Sequence, residues 1–110
     1  MIASNWRLKD WTFRTSPETW NHDVVGLYAS DLLSNVLRHA EAKNALVTTL
    51  SNMNVIAVAS LANLPLVIFS EGKEPSEAMI EKANEEGVAL LVAKEDSVQV
   101  IRALLEANLL

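Results

Sequence analysis

The chain contains no cysteine, which removes disulfides, thiolate metal ligands and cysteine nucleophiles together. Its three glycines, Gly26, Gly72 and Gly87, are too few and too far apart to write the dinucleotide fingerprint or the phosphate-cradling P-loop. Basic residues are also scarce. Nine Lys and Arg against fourteen Asp and Glu leave a formal charge of −5, the wrong sign for gripping a phosphate backbone by counterion release, so no nucleic acid is expected as a partner. Long hydrophobic runs are missing too. The stretch from Val55 to Phe69 is broken by Ser60, Asn63 and Pro65 and falls short of the ~20 residues that cross a bilayer. The start, Met1-Ile2-Ala3-Ser4-Asn5-Trp6-Arg7, has neither the basic region nor the apolar core of a secretory signal. The expectation is a cytoplasmic protein with no membrane partner.

What is present is apolar. Half of the 110 residues are hydrophobic and the mean hydropathy is +0.16, more than the single small core of such a domain hides comfortably. Association follows, with a symmetric homodimer as the default. The surfaces expected to carry it are the segment Val55 to Leu64 and the aromatic start of the chain.

From Asp23 onward, a short apolar run followed by a helical period recurs four times. The runs are 24–28, 45–48, 66–69 and 88–92, each apolar at successive positions, as in parallel strands covered on both faces. After the first run, Leu32, Leu33, Val36, Leu37 and Ala40 keep helical spacing, with Ser30 or Asp31 placed to cap. Asn54 to Leu64 is apolar almost all round. It reads as a buried crossover helix capped by Asn54 and stopped by Pro65. A third helix has Pro75 in its first turn, Met79, Ile80 and Ala83 inward, and Gly87 as its left-handed stop. A fourth begins near Asp96 with Val98, Ile101, Leu104 and Leu105 inward. The fold class expected is α/β: a three-layer α/β/α sandwich around a mainly parallel sheet of four to five strands, with right-handed crossovers placing helices on both faces.

Residues 1–22 form a separate segment ahead of the α/β domain of residues 23–110. All three tryptophans, Trp6, Trp11 and Trp20, lie in it, and Trp11, Phe13 and Thr15 alternate with Thr12 and Arg14 as an edge strand would. The rings either cap the chain's own core or dock on a partner.

Several stretches, taken in order, resemble the DRTGG domain. Val24-Val25-Gly26-Leu27-Tyr28-Ala29-Ser30-Asp31-Leu32-Leu33 is similar to its first strand and helix start, and Asn54 to Leu61 to its apolar second helix. Ile68 to Pro75 is similar to the loop leaving its third strand, and Ala83 to Leu91 to the helix, glycine and strand that follow. The loop itself reads Ser70-Glu71-Gly72-Lys73 and lacks the literal Asp-Arg and Thr-Gly-Gly of the family's name. The resemblance implies a fold like the N-terminal domain of HPr kinase. It also implies a dimerising or regulatory role, as in relatives beside CBS modules of regulatory pyrophosphatases or near hydrogenase genes. Kinase activity is not implied, because in such proteins it resides in a separate P-loop domain.

In parallel α/β sheets ligands gather where loops leave the carboxyl ends of strands. The candidate ligand-binding residues there are Ser30 and Asp31, then Thr48, Thr49 and Asn52, then Ser70, Gly72 and Lys73. Helix-start N–H groups together with Lys73 would suit a small anion, although capping and turn preferences alone account for most of these residue types. His22 and His39 lack further ligands at metal spacing, no nucleophilic triad can be assembled, and Glu81, Glu85 and Glu86 with Lys82 read as a solvated face. No catalytic residue, metal or cofactor is therefore assigned. The leading expectation is a non-catalytic regulatory or dimerisation module that senses a nucleotide or other small anion within a metabolic or hydrogenase-related complex. The alternatives are a small phosphoryl-handling enzyme using Ser30, Asp31 and Lys73, and an assembly partner without a small ligand.

Overall fold

Strands β3 (Ala45–Thr48), β4 (Leu66–Phe69) and β5 (Ala89–Val92) are buried at every position, the consequence of being covered on both faces. The computed structural model describes residues 1–110 and places these strands in a five-stranded sheet of order β1-β5-β4-β3-β2. Strands β2 (Leu27–Ala29), β3, β4 and β5 run parallel. Strand β1 (Thr12–Phe13) closes the far edge antiparallel to β5, with Thr12 opposite Val92 and Phe13 opposite Leu91.

The parallel strands are laid down in chain order, and this decides where the helices go. Successive right-handed crossovers that advance in one direction all fall on the same face. Helices α1 (Leu33–His39), α2 (Met53–Leu61) and α3 (Glu77–Glu86) accordingly bury Val36, Val55, Ile56, Ala59, Met79 and Ala83 together against Leu46, Val67 and Leu90. This corrects the expectation that crossover helices would occupy both faces. The other face is covered by α4 (Ser97–Glu106) and by the Trp-rich segment, whose Trp6, Trp11 and Phe13 share one core with Ala45, Val47, Leu66, Ile68, Ala89, Leu91, Val100 and Leu104. The layers are thus α/β/α, with residues 1–23 completing the thinner one.

That duty explains the tryptophans. Trp6 and Trp11 are buried and the half-buried Trp20 stacks on Phe13 with ring centroids 4.4 Å apart, so the rings are used mainly by the chain's own core. Polar contacts lock it in place. Arg14 N–H donates to the Leu90 carbonyl at 2.8 Å, Leu90 N–H donates to Thr15 Oγ1 at 3.2 Å, and the Arg14 guanidinium makes a two-pronged bond to Glu74, 2.8 Å at each oxygen.

Helix boundaries and inner faces differ from expectation at several points. Helix α2 is capped by Asn52, which accepts from Asn54 N–H at 3.0 Å, and α3 by Ser76, leaving Pro75 ahead of the cap. Asp96 caps α4 by accepting from Gln99 N–H at 2.9 Å. Helix α4 turns Val100, Ala103 and Leu104 inward and leaves Val98 and Leu105 exposed. On α1 only Val36 is buried, with Leu32 and Leu37 outside. Helix α2 is not enclosed either, since Leu61 is 74% exposed. An apolar stripe wider than one buried face cannot say which of its edges meets the sheet.

Candidate functional site

Strand β2 ends with Ser30 N–H donating to the Val47 carbonyl at 3.1 Å, and the next residues turn across the top of the sheet. Ser30 Oγ accepts from Leu32 N–H at 3.0 Å, which shapes the turn into α1, a helix whose N-cap Leu32 has no capping side chain. Asp31 therefore does not cap. Its Oδ1 reaches sideways and accepts the Thr48 hydroxyl at 2.8 Å and the Thr49 amide at 2.7 Å. Thr48 Oγ1 in turn accepts from Leu50 N–H at 3.1 Å. Donation from the Thr49 amide, aided by the Thr48 hydroxyl and opposed by partial burial, holds the Asp31 carboxyl below its ordinary range. The Thr49 hydroxyl lowers it further in the same sense.

Below this bridge lies a cleft of about 160 Å³ at the carboxyl ends of β2, β3 and β4. Ser30, Asp31, Thr48, Thr49 and Ser70 line it, together with Ala29, Val47, Glu71 and Ser97. The other three expected residues lie elsewhere. Asn52 is spent on capping α2. Gly72 sits in a left-handed turn at φ +66° with its N–H on the Ala93 carbonyl at 2.8 Å. Lys73 is exposed outside the cleft, its N–H donating to the Ser70 carbonyl at 3.3 Å. Glu71 and Ser97 escaped the sequence reading for different reasons. Glu71 stood inside the loop but carried no motif. Ser97 arrives from α4 on the opposite face, an adjacency that only strand order creates.

The cleft's electrostatics follow from its lining. Asp31 and Glu71 are the charged residues in the wall, and no Lys or Arg is among them. The wall is rich in hydroxyls and hydrogen-bond acceptors, unlike a phosphate cradle. No imidazole or amine stands there to activate a hydroxyl as a nucleophile. The strand order also matters, since the parallel strands never reverse and so form no switch-point crevice between them. The nearest equivalent lies where the loops after β4 and β5 diverge to opposite faces. That gap is closed by Glu71 N–H on the Glu95 carbonyl at 2.7 Å and by the Gly72 bond to Ala93.

A larger, open cavity of about 510 Å³ occupies the other end of the sheet, where α2 and α3 finish, and is rimmed by His22, Asp23, Lys43, Asn63, Glu85 and Glu86. His39 sits in the last turn of α1. No three His, Cys, Asp or Glu side chains come together as a metal site, and no helix is long and apolar enough to cross a membrane.

The family model described as the DRTGG domain matches residues 21–107. No curated protein matches the chain. Among solved structures the chain is similar to the CBS and DRTGG domains of the regulatory region of Clostridium perfringens pyrophosphatase, complexed with its activator diadenosine tetraphosphate. The TM-score is 0.68 and the identity 14%, over 96% of this chain and 49% of that one. The likeness is one of fold, and this chain spans about half the length of that structure.

Proposed function

The chain belongs to the DRTGG domain family, and from that premise we propose that it is a non-catalytic regulatory module, homodimeric, which receives a small signal ligand at the strand-end cleft and passes the signal to a protein partner. One observation carries this reading. Asp31 Oδ1 ties together the two loops that open α1 and α2, reaching from the end of β2 to Thr48 and Thr49 at the end of the neighbouring β3. A ligand that competes for or reinforces this bridge shifts the starts of both helices. Leu32 and Leu37 of the first unit and Met53 and Leu61 of the second are exposed, and that apolar surface is where a second copy or partner would sense the shift.

A nucleotide is the first signal to try, given the activator bound by the structurally similar pyrophosphatase region. A metabolic or hydrogenase-related complex is the setting that family resemblance implies. The phosphoryl-handling alternative has less to draw on, because Lys73 lies outside the cleft that holds Ser30 and Asp31.

The test is a thermal-shift panel of nucleotides and phosphates on the full chain, run beside sedimentation at micromolar concentration and a pull-down. Saturable stabilisation is expected, about 2.7 kcal/mol at a hundredfold excess over Kd, in a sedimenting dimer. A monomer with a flat panel and no co-purifying protein would refute the proposal. Turnover of a labile phosphate compound that vanishes in Asp31→Ala would replace it with the enzyme reading.

A further inference from the structure

We propose that the strand-end cleft is built for the vicinal hydroxyls of a pentose ring and leaves any attached phosphate outside. The inference rests on the cleft being the ligand site and names the chemistry it accepts.

Three features of the cleft converge on that class. The first is charge: its ionic groups are the carboxylates Asp31 and Glu71, which repel a phosphate and attract hydrogen-bond donors. Asp31 accepts the Thr48 hydroxyl and the Thr49 amide through Oδ1, so the carboxylate is oriented and ionised and keeps lone pairs for further hydroxyl donors.

The second is a hydroxyl with capacity to spare. Ser97 is half-buried, lines the cleft and makes no side-chain hydrogen bond within the protein, so its Oγ can both donate to and accept from a ligand hydroxyl. Ser70 is fully buried with its Oγ directed to the Thr48 carbonyl at 3.5 Å, and it shapes the wall without meeting the ligand itself.

The third is size. About 160 Å³ is well under the ~300 Å³ at which pockets begin to enclose whole drug-sized molecules and suits a single small ring. Ala29 and Val47 in the wall offer the carbon face of such a ring an apolar contact.

Calorimetric titration of the full chain with adenosine, 2′-deoxyadenosine, D-ribose and inorganic phosphate tests the assignment. Adenosine or ribose is expected to bind saturably, 2′-deoxyadenosine at least tenfold more weakly than adenosine, and phosphate not at all. Ribose matching adenosine identifies a free sugar as the source, and adenosine exceeding ribose identifies a nucleoside. Asp31→Asn, which keeps an acceptor for Thr48 and Thr49, and Ser97→Ala are each expected to weaken binding tenfold or more. Equal affinity for the two nucleosides, binding of phosphate by itself, or no heat from any probe would overturn the proposal. If the chain still sediments as a dimer and another compound stabilises it, only the diol assignment fails. A monomer with no ligand and no partner defeats the regulatory reading beneath it.

Discussion

The Thr48 hydroxyl and the Asp31 carboxylate lie 2.8 Å apart across the carboxyl ends of two neighbouring strands, and Thr48 is itself buried. The pair joins residues seventeen positions apart in the chain, and it does so where both strands hand over to helices.

Asp31→Ala leaves the Thr49 amide and the buried Thr48 hydroxyl without their acceptor, at a cost of about 1–3 kcal/mol, whereas Asp31→Asn keeps an acceptor and loses only the charge. The carboxyl's folded value lies below its unfolded one, so its stabilisation is complete above roughly pH 4 and is lost as pH falls through the folded value. Urea unfolding between pH 7 and pH 2.5 should show stability declining on the acid side, with a shallower decline in Asp31→Asn. An identical slope in the variant would remove Asp31 from the account. Glu74, held down by Arg14, contributes in the same direction and persists in both proteins.

Thr15 is the polar pin of the N-terminal segment. It accepts from Leu90 N–H and shares a 2.8 Å bond with Thr19, whose own proton goes to the Ser16 carbonyl at 2.8 Å. Thr15 therefore donates to Thr19. Thr15→Val keeps the shape and strands a buried amide, for an expected loss of about 1–3 kcal/mol. Hydrogen exchange should show the Leu90 amide losing protection first.

The two buried tryptophans differ in one atom's fortune. Trp11 Nε1 donates to Glu95 at 3.0 Å, while Trp6 Nε1 is buried with no partner. Both phenylalanine variants lose similar ring volume, but Trp11→Phe also breaks a charge-assisted bond and Trp6→Phe removes an unsatisfied donor. Chemical denaturation should find Trp6→Phe the milder of the two by about 1–3 kcal/mol. Equal losses would mean that ring packing alone decides.

Gly26 and Gly87 both hold left-handed backbone, at φ +77° and +73°, which costs an alanine about 1–2 kcal/mol. A side chain at Gly26 would also meet Asn44 Nδ2 at 3.0 Å, and Asn44 is pinned at both ends by Val25 and Glu41. At Gly87 the nearest atom is His22 Nε2 at an ordinary 3.6 Å. Thermal melts should rank Gly26→Ala below Gly87→Ala.

Much of the fold was legible because its signals are local. The apolar runs 45–47 and 66–69 lie in the strands themselves, Asp96 and Gly87 punctuate helices as their chemistry requires, and Thr12 with Phe13 forms the edge strand. The candidate site was legible in part for the same reason: strand-end hydroxyls and Asp31 are recognisable as polar punctuation after apolar runs. Lys73 lies outside the cleft, since a charge in a loop says nothing about where its side chain ends up. Val98 and Leu105 misled because α4 carries apolar residues over more of its surface than the sheet covers.

Taken alone, the amino-acid order determined that strands and helices alternate, that the sheet is buried on both sides, and that no P-loop, thiol or cationic surface is available, because period, turn chemistry and composition are properties of short stretches. Tertiary structure decided that three crossover helices share one face, that the Trp-rich segment must complete the other, and that Asp31 bonds to Thr48 and Thr49 and does not cap a helix. Those outcomes depend on which strand lies beside which, and strand adjacency is settled only when the whole chain closes around its two cores.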